Sequence, residues 1–370
     1  MIPVCEPDLS SIERENLMKC FDSGWISSNG EYVKTFEDKF SRYIGCDYGI
    51  AVSNGTTALE AAVFALEIKP GDEIILPSFT IVSCVIAIIR QGGIPVFTDV
   101  DRDTWCITAN EIKARLSDKT KAVMVVHMFG NPADMKPILE LSNKHGFVVI
   151  EDASQVHGAE YFGKKCGSLG HISTFSFYAN KIITTGEGGM ILTSNKKYAD
   201  LAASFRNLCF RKTRDFIHDD FGHNFRLTSL QASIGIAQLS RIEYFLKQKI
   251  KNGKMYKKYL SKIPEIQIQT ERKNIKSVYW MYSIVLDPKL KIFAKDVVNK
   301  LYEFGIGARM FFSPLHKLPA FKKRNLMFKA EGSFNQSERL SKYGLYLPSS
   351  ISIREKDIKI VCEKVREILS

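Results

Sequence analysis

Lys181 closes the run Phe175-Ser176-Phe177-Tyr178-Ala179-Asn180-Lys181, and Gly186-Glu187-Gly188-Gly189 follows shortly after it. The surroundings are aromatic and carry little charge. Partial desolvation disfavours an ammonium and moves a lysine toward the range needed to attack a carbonyl carbon. Considered alone, such a lysine is better explained as a surface residue beside a loop. Two further segments bear on it. Ser53-Asn54-Gly55-Thr56-Thr57 leaves an apolar strand and enters a helical stretch. A helix start offers unpaired N–H groups, Gly55 permits close backbone approach, and the threonine hydroxyls add donors. The segment therefore suits a phosphate, or serves simply as an N-cap. It is no P-loop, because the lysine and glycine spacing of that motif is absent. The third segment, Val148-Val149-Ile150-Glu151-Asp152-Ala153-Ser154-Gln155, is an apolar strand ending in acid. Asp152 falls at its C-terminal edge, where open α/β sheets bind ligands. A carboxylate there can bind a metal, act as a base, pair with a cationic ring nitrogen or cap a helix. His127, His145 and His157 lie at no recognised metal spacing.

Together, a phosphate seat, an acidic strand end and a shielded lysine are the parts that pyridoxal phosphate requires. The elements that must position them alternate along the chain. Strands are expected at 48–53, 73–77, 94–100, 122–128, 147–151, 174–178 and 190–193, with helical patterns at 57–66, 83–90, 109–116 and 135–144. Alternation of this kind predicts a largely parallel sheet covered on both faces. From Leu227 the texture changes. Leu230, Ile234 and Ala237 form one helical stripe and Ile236, Leu239 and Ile242 another, predicting a helix buried between domains or subunits that runs on into a lysine-rich, solvated stretch. Beyond Pro264 a smaller α+β unit is expected, with strands at 281–286 and 307–312 and a final helix from Glu355 to Leu369.

The 370 residues suit one large and one small domain, and 45% hydrophobic with 25% charged residues describes an ordinary globular chain. Eight dispersed cysteines form no close pair, which predicts reduced, mostly buried thiols instead of a disulfide framework or a zinc site. The net charge of +12 is compatible with nucleic acid, an anionic membrane or anionic small molecules. Much of it lies in Lys247, Lys249, Lys251, Lys254, Lys257 and Lys258, spaced as on a solvated helix face, and no nucleic-acid-binding motif accompanies them. The N-terminus lacks a basic stretch before an apolar core, and the longest apolar run ends at Arg90, too short to span a bilayer. A cytoplasmic protein without membrane insertion is the expectation.

Residues 53–57, 151–155, 175–189 and 223–238 resemble the DegT/DnrJ/EryC1/StrS family of sugar aminotransferases, which are fold-type I pyridoxal-phosphate enzymes, and the likeness extends over nearly the whole chain. The resemblance implies an α/β fold with a mostly parallel central sheet sandwiched by helices. A large cofactor-binding domain would cover residues 1–245 and a smaller C-terminal α+β domain residues 246–370. It implies that Lys181 bonds the cofactor and shuttles a proton, that Asp152 pairs with the pyridine nitrogen, and that Gln155 lies near the phenolic oxygen. Gly55, Thr56 and Ser176 would hold the phosphate, joined by Asn224 from a partner subunit, so that a homodimer shares its active sites. Arg226, Arg309 and His316 would meet a nucleotide sugar. Lysine in place of histidine at position 181 favours amino transfer over dehydration. Residues 24–28, 279–281 and 312–316 are most similar to members that aminate GDP-4-keto-6-deoxymannose at C4, with glutamate as donor and pyridoxamine phosphate as the carrier. Amination at C3, a dTDP- or UDP-linked sugar, and a non-enzymatic cofactor-binding regulator are the alternatives. Where the family places an aromatic residue on the cofactor ring, this chain has Ile81, which can cover a ring face without offset stacking.

Overall fold

A computed structural model describes residues 1–370 apart from 212, 214 and 215. Short apolar segments pair into a seven-stranded sheet in the order Tyr48–Val52, Gly189–Thr193, Ile172–Ser176, Val148–Asp152, Thr120–Val126, Glu73–Pro77, Ile94–Thr98. Every pairing from Ile172–Ser176 to Ile94–Thr98 is parallel, whereas Gly189–Thr193 runs antiparallel to both neighbours. Glu73–Pro77 and Gly189–Thr193 are buried at every residue, as strands covered on both faces must be. The mostly parallel sheet is therefore as expected. Its parallel strands end side by side, with Asp152 in register with Thr174, two residues before Ser176.

The strand end at Asp152 is held by its neighbour. Glu151 is fully buried and accepts the backbone N–H groups of Gly167 at 2.8 Å, Leu169 at 2.7 Å and Gly170 at 2.5 Å. His127 Nδ1 accepts the Ala133 N–H at 3.0 Å, so its Nε2–H donates to Glu151, also at 3.0 Å. Four donors thus converge on one carboxylate. Glu151→Gln turns an amide N–H₂ against some of them, and we expect a loss of about 3 kcal/mol of stability. The denaturant midpoint of the cofactor-free protein measures it. An unchanged midpoint would show that this network does not anchor the strand.

A second, antiparallel sheet follows the order Ile266–Ile268, Tyr282–Leu286, Gly344–Leu347, Arg309–Met310. The helix Glu355–Leu369 ends the chain as expected, while the strand expected over 307–312 narrows to Arg309–Met310. Tyr256, Ile284, Leu347, Val361 and Val365 belong to an apolar core separate from that of the large sheet. The helix Ile242–Leu260 joins the two, with Phe245 and Leu246 in the first core and Tyr256 and Leu260 in the second.

Two expectations for this region need correction. The stripes from Leu230 to Ile242 do not belong to one continuous helix. Ser229–Ser240 ends at Arg241, whose guanidinium turns onto Asp8 and Glu13, and Ile242–Leu260 starts a new helix. Nor is Lys249 on a solvated face. It is 4% exposed because helical spacing puts it with Phe245, Leu246 and Tyr256, while Lys247, Lys251, Lys254, Lys257 and Lys258 are exposed. The helix Ser229–Ser240 packs against Ser11–Asp22 and Glu31–Ile44, with Leu230, Ile234 and Ile236 only half-buried. Six cysteines are buried and two half-buried. Among the described residues no helix is long and apolar enough to cross a membrane.

Candidate active site

A cavity of about 700 Å³ opens at the C-terminal ends of the parallel strands, the position where open α/β sheets take ligands. Its first wall is a helix start. The Asn54 side chain accepts the Thr57 N–H at 2.9 Å and caps Gly55–Phe64. The first turn's remaining N–H groups and its partial positive charge thus border the cavity. Gly55 is required by contact: a Cβ there would lie 2.7 Å from the Ser176 Cβ. Removing that Cβ lets the helix start and the end of Ile172–Ser176 close on one another, with Gly55, Thr56 and Ser176 all lining the cavity. The Thr56 hydroxyl is oriented by Ser83 at 2.7 Å.

Asp152 lines the same cavity and is 3% exposed. It accepts the Ser154 N–H at 3.1 Å and the Cys84 S–H at 3.4 Å. Among the described residues no lysine, arginine or histidine forms an ion pair with it. A buried carboxylate without a cation is costly, and this one faces a cavity, so the arrangement suits a ligand bearing a protonated ring nitrogen. Gln155 is 4% exposed, and its Oε1 accepts the Phe129 N–H at 2.6 Å, leaving the N–H₂ group for a ligand.

Lys181 enters from a turn in which its own N–H donates to the Tyr178 carbonyl at 2.9 Å. Desolvation pulls its ammonium down to about 8, against the opposing fields of Asp152 and Cys5. About a tenth of the lysine is then free amine at pH 7, against well under a thousandth for an ordinary lysine. Its Nζ rests 4.0 Å from the centre of the Trp280 ring. A phosphate seat, a buried acceptor for a ring N–H and a nucleophilic amine therefore border one volume. Arg309 lines that volume too, exposed, with Tyr346 on the same wall. Ile81 is there at 38% exposure, an aliphatic cover.

Three residues from the expected set lie elsewhere. Asn224 is exposed and bridges to Asn207. Arg226 donates to Asn207 Oδ1 at 2.5 Å and lines a neighbouring cleft with Ser28 and Asn29. His316 packs on Phe334 with ring centres 4.1 Å apart, its Nδ1 2.6 Å from the Ser78 hydroxyl, and does not line the cavity. Conversely, Ser83, Asn180, Trp280, Phe312 and Tyr346 line it without having been singled out as site residues. Trp280 and Phe312 sat in segments that carried the family resemblance. Ser83 and Tyr346 had no signal, since the fold alone brings them there.

Comparison with known proteins agrees with this geometry. The model of the DegT/DnrJ/EryC1/StrS aminotransferase family matches residues 7–366. The chain is 37% identical over 369 residues to a GDP-perosamine synthase of Escherichia coli O157:H7, covering 100% of this chain and 99% of that protein. It is 36% identical over 366 residues to the GDP-perosamine synthase of Vibrio cholerae, covering 99% and 98%. The aminotransferase TlmJ from Streptoalloteichus hindustanus superposes with a TM-score of 0.92 at 30% identity, over 99% of this chain and 98% of that one. The chain thus belongs to the DegT/DnrJ/EryC1/StrS aminotransferase family of pyridoxal-phosphate-dependent enzymes.

Proposed function

We propose that this enzyme transfers the amino group of glutamate to C4 of GDP-linked 4-keto-6-deoxymannose. The observation that carries the chemistry is the shared cavity of Lys181, Asp152 and the helix start at Gly55. Full-length identity to two GDP-perosamine synthases supports the sugar. Bound pyridoxal phosphate supplies an electrophilic aldehyde and an electron-withdrawing ring. Lys181 is the nucleophile toward that aldehyde and afterwards takes and returns the proton at the substrate carbon, a task suited to an amine at about 8. Asp152 keeps the ring nitrogen protonated. Gly55, Thr56 and Ser176 donate to the phosphate, and the Gln155 N–H₂ meets the phenolic oxygen. Arg309 takes an anionic group of the nucleotide sugar, and His316 acts only at a distance, through the Ser78 hydroxyl that its Nδ1 meets at 2.6 Å. Residues 1–245 act as the large domain and 246–370 as the small one, although the first apolar core also takes in Leu246, Val278, Trp280, Met281 and Phe311 from beyond that boundary.

A homodimer accounts for Asn224 and Arg226. Both stand outside their own cavity, and the half-buried Leu230, Ile234 and Ile236 leave apolar surface nearby. In this arrangement Asn224 completes the partner's phosphate site and Arg226 reaches the partner's nucleotide. If so, Lys181→Ala and Asn224→Ala homodimers are each impaired, and mixing them under conditions of subunit exchange restores about a quarter of wild-type activity through one intact site per heterodimer. Absence of recovery despite proven exchange removes the shared-site arrangement.

The substrate assignment is tested by incubating the purified protein with GDP-4-keto-6-deoxymannose, glutamate and pyridoxal phosphate and locating the new amine by NMR. An amine at C4 is expected. An amine at C3, or turnover confined to dTDP- or UDP-linked sugars, rejects this sugar while leaving the aminotransferase chemistry in place.

A further inference from the structure

We infer that Trp280 is the positioning residue for Lys181, its indole face seating the free ammonium and keeping it from collapsing onto Asp152. This rests on the reading of Lys181 as the lysine that bonds the cofactor. The separation of 4.0 Å between Nζ and the ring centre lies well inside the range of a cation–π contact. The ring itself is held at its N–H edge and its backbone is tethered. Its Nε1–H donates at 2.7 Å to the carbonyl of Asn180, the residue directly before Lys181, so the seat and the lysine are tied to one stretch of backbone. Phe129 lies nearly parallel to it, 6.4 Å between centres at 13°. The Trp280 carbonyl accepts from Lys249 Nζ at 2.6 Å, and the same ammonium donates to the Ser349 carbonyl at 2.5 Å. The buried Lys249 thereby has a purpose: it fastens the backbone under the indole.

The chemical need follows from the two charges in the cavity. Asp152 must stay available for a ring nitrogen, and Lys181 must stay within reach of the reacting carbon whenever it is not bonded to the cofactor. An ion pair between them would occupy both groups. An indole face gives the ammonium a favourable place that uses no carboxylate. The groups facing Lys181 are Asp152 on its strand, Cys5 from the N-terminal segment and His157 behind the following strand. Burial raises the Cys5 thiol, and burial together with Lys181 lowers His157 to about 3. Both therefore stay neutral through the neutral range, but burial also pulls the Lys249 ammonium down to about 8, so the titration of Lys181 is read on its own peptide.

The test uses the cofactor-free full-length protein, Trp280→Phe and Trp280→Leu. Each is labelled briefly with acetic anhydride across a pH series, and the Lys181 peptide is quantified by mass spectrometry. Because the indole favours the ammonium, its removal lowers the labelling midpoint. The expected order is wild type, then Trp280→Phe, then Trp280→Leu, spanning about one pH unit. Identical midpoints, or the reverse order produced by water entering the gap, overturn the inference. Trp280→Phe retains a packed ring if the leucine variant does not fold. Failure of the cofactor reading looks different: borohydride treatment of the wild type with pyridoxal phosphate then fixes no pyridoxyl group on Lys181, whatever the labelling order.

Discussion

Replacing Lys181 with alanine is expected to lower amino transfer by about 10⁴-fold or more, because one substitution removes both the nucleophile and the proton carrier. The thermal midpoint of the cofactor-free protein should move little. Lys181 makes no ion pair among the described residues, and the indole it leaves remains held by Asn180 and Phe129. Non-covalent cofactor binding should persist as well, since the helix start at Gly55 and the carboxylate of Asp152 do not depend on the lysine. Initial rates with glutamate and keto-sugar measure the first effect, and borohydride fixation on the protein reports the covalent link. Turnover within tenfold of wild type in the purified variant would remove Lys181 from the chemistry.

What made Lys181 legible also explains why Trp280 was not. Local order carried the first: an aromatic strand, a short turn and a glycine-rich segment lie within one stretch of chain, as do the acidic strand end at Asp152 and the helix start at Gly55. Each is a strand terminus in a parallel sheet, so the topology that strand–helix alternation predicts already gathers them on one edge. Trp280 reaches the cavity only through a long-range contact, between the turn at Asn180 and a segment some hundred residues later. No local pattern encodes that meeting. Lys249 is a different case. Its burial was available from helical spacing alone, since it falls three and four residues after Leu246 and Phe245 and seven before Tyr256. Composition obscured it, because the exposed lysines around it dominate any average over the window. The break at Arg241 was hidden for a third reason: the helix ends for the sake of Asp8 and Glu13 at the far N-terminus, partners that the neighbouring sequence does not announce.

Asp152→Asn separates function from stability most sharply. The side chain keeps its shape, and its oxygen still accepts the Ser154 N–H now held at 3.1 Å. What disappears is the negative charge that would keep a ring nitrogen protonated, and with it the ring's capacity to draw electrons from the reacting carbon. The expected loss in kcat is about 10³-fold, the scale for removing one preorganised electrostatic contact in a water-poor site. Stability of the cofactor-free protein should move the other way or not at all. Asp152 is a carboxylate 3% exposed with a thiol and one amide as its hydrogen-bond donors, and an amide costs less to bury there. Thermal unfolding and steady-state rates on the same preparation test both halves together. If Asp152 served only to cap the turn at Ser154, the variant would lose stability while the transfer rate stayed within tenfold. The opposite pattern, a protein at least as stable and nearly inactive, is what a charge held in reserve for a bound cation produces.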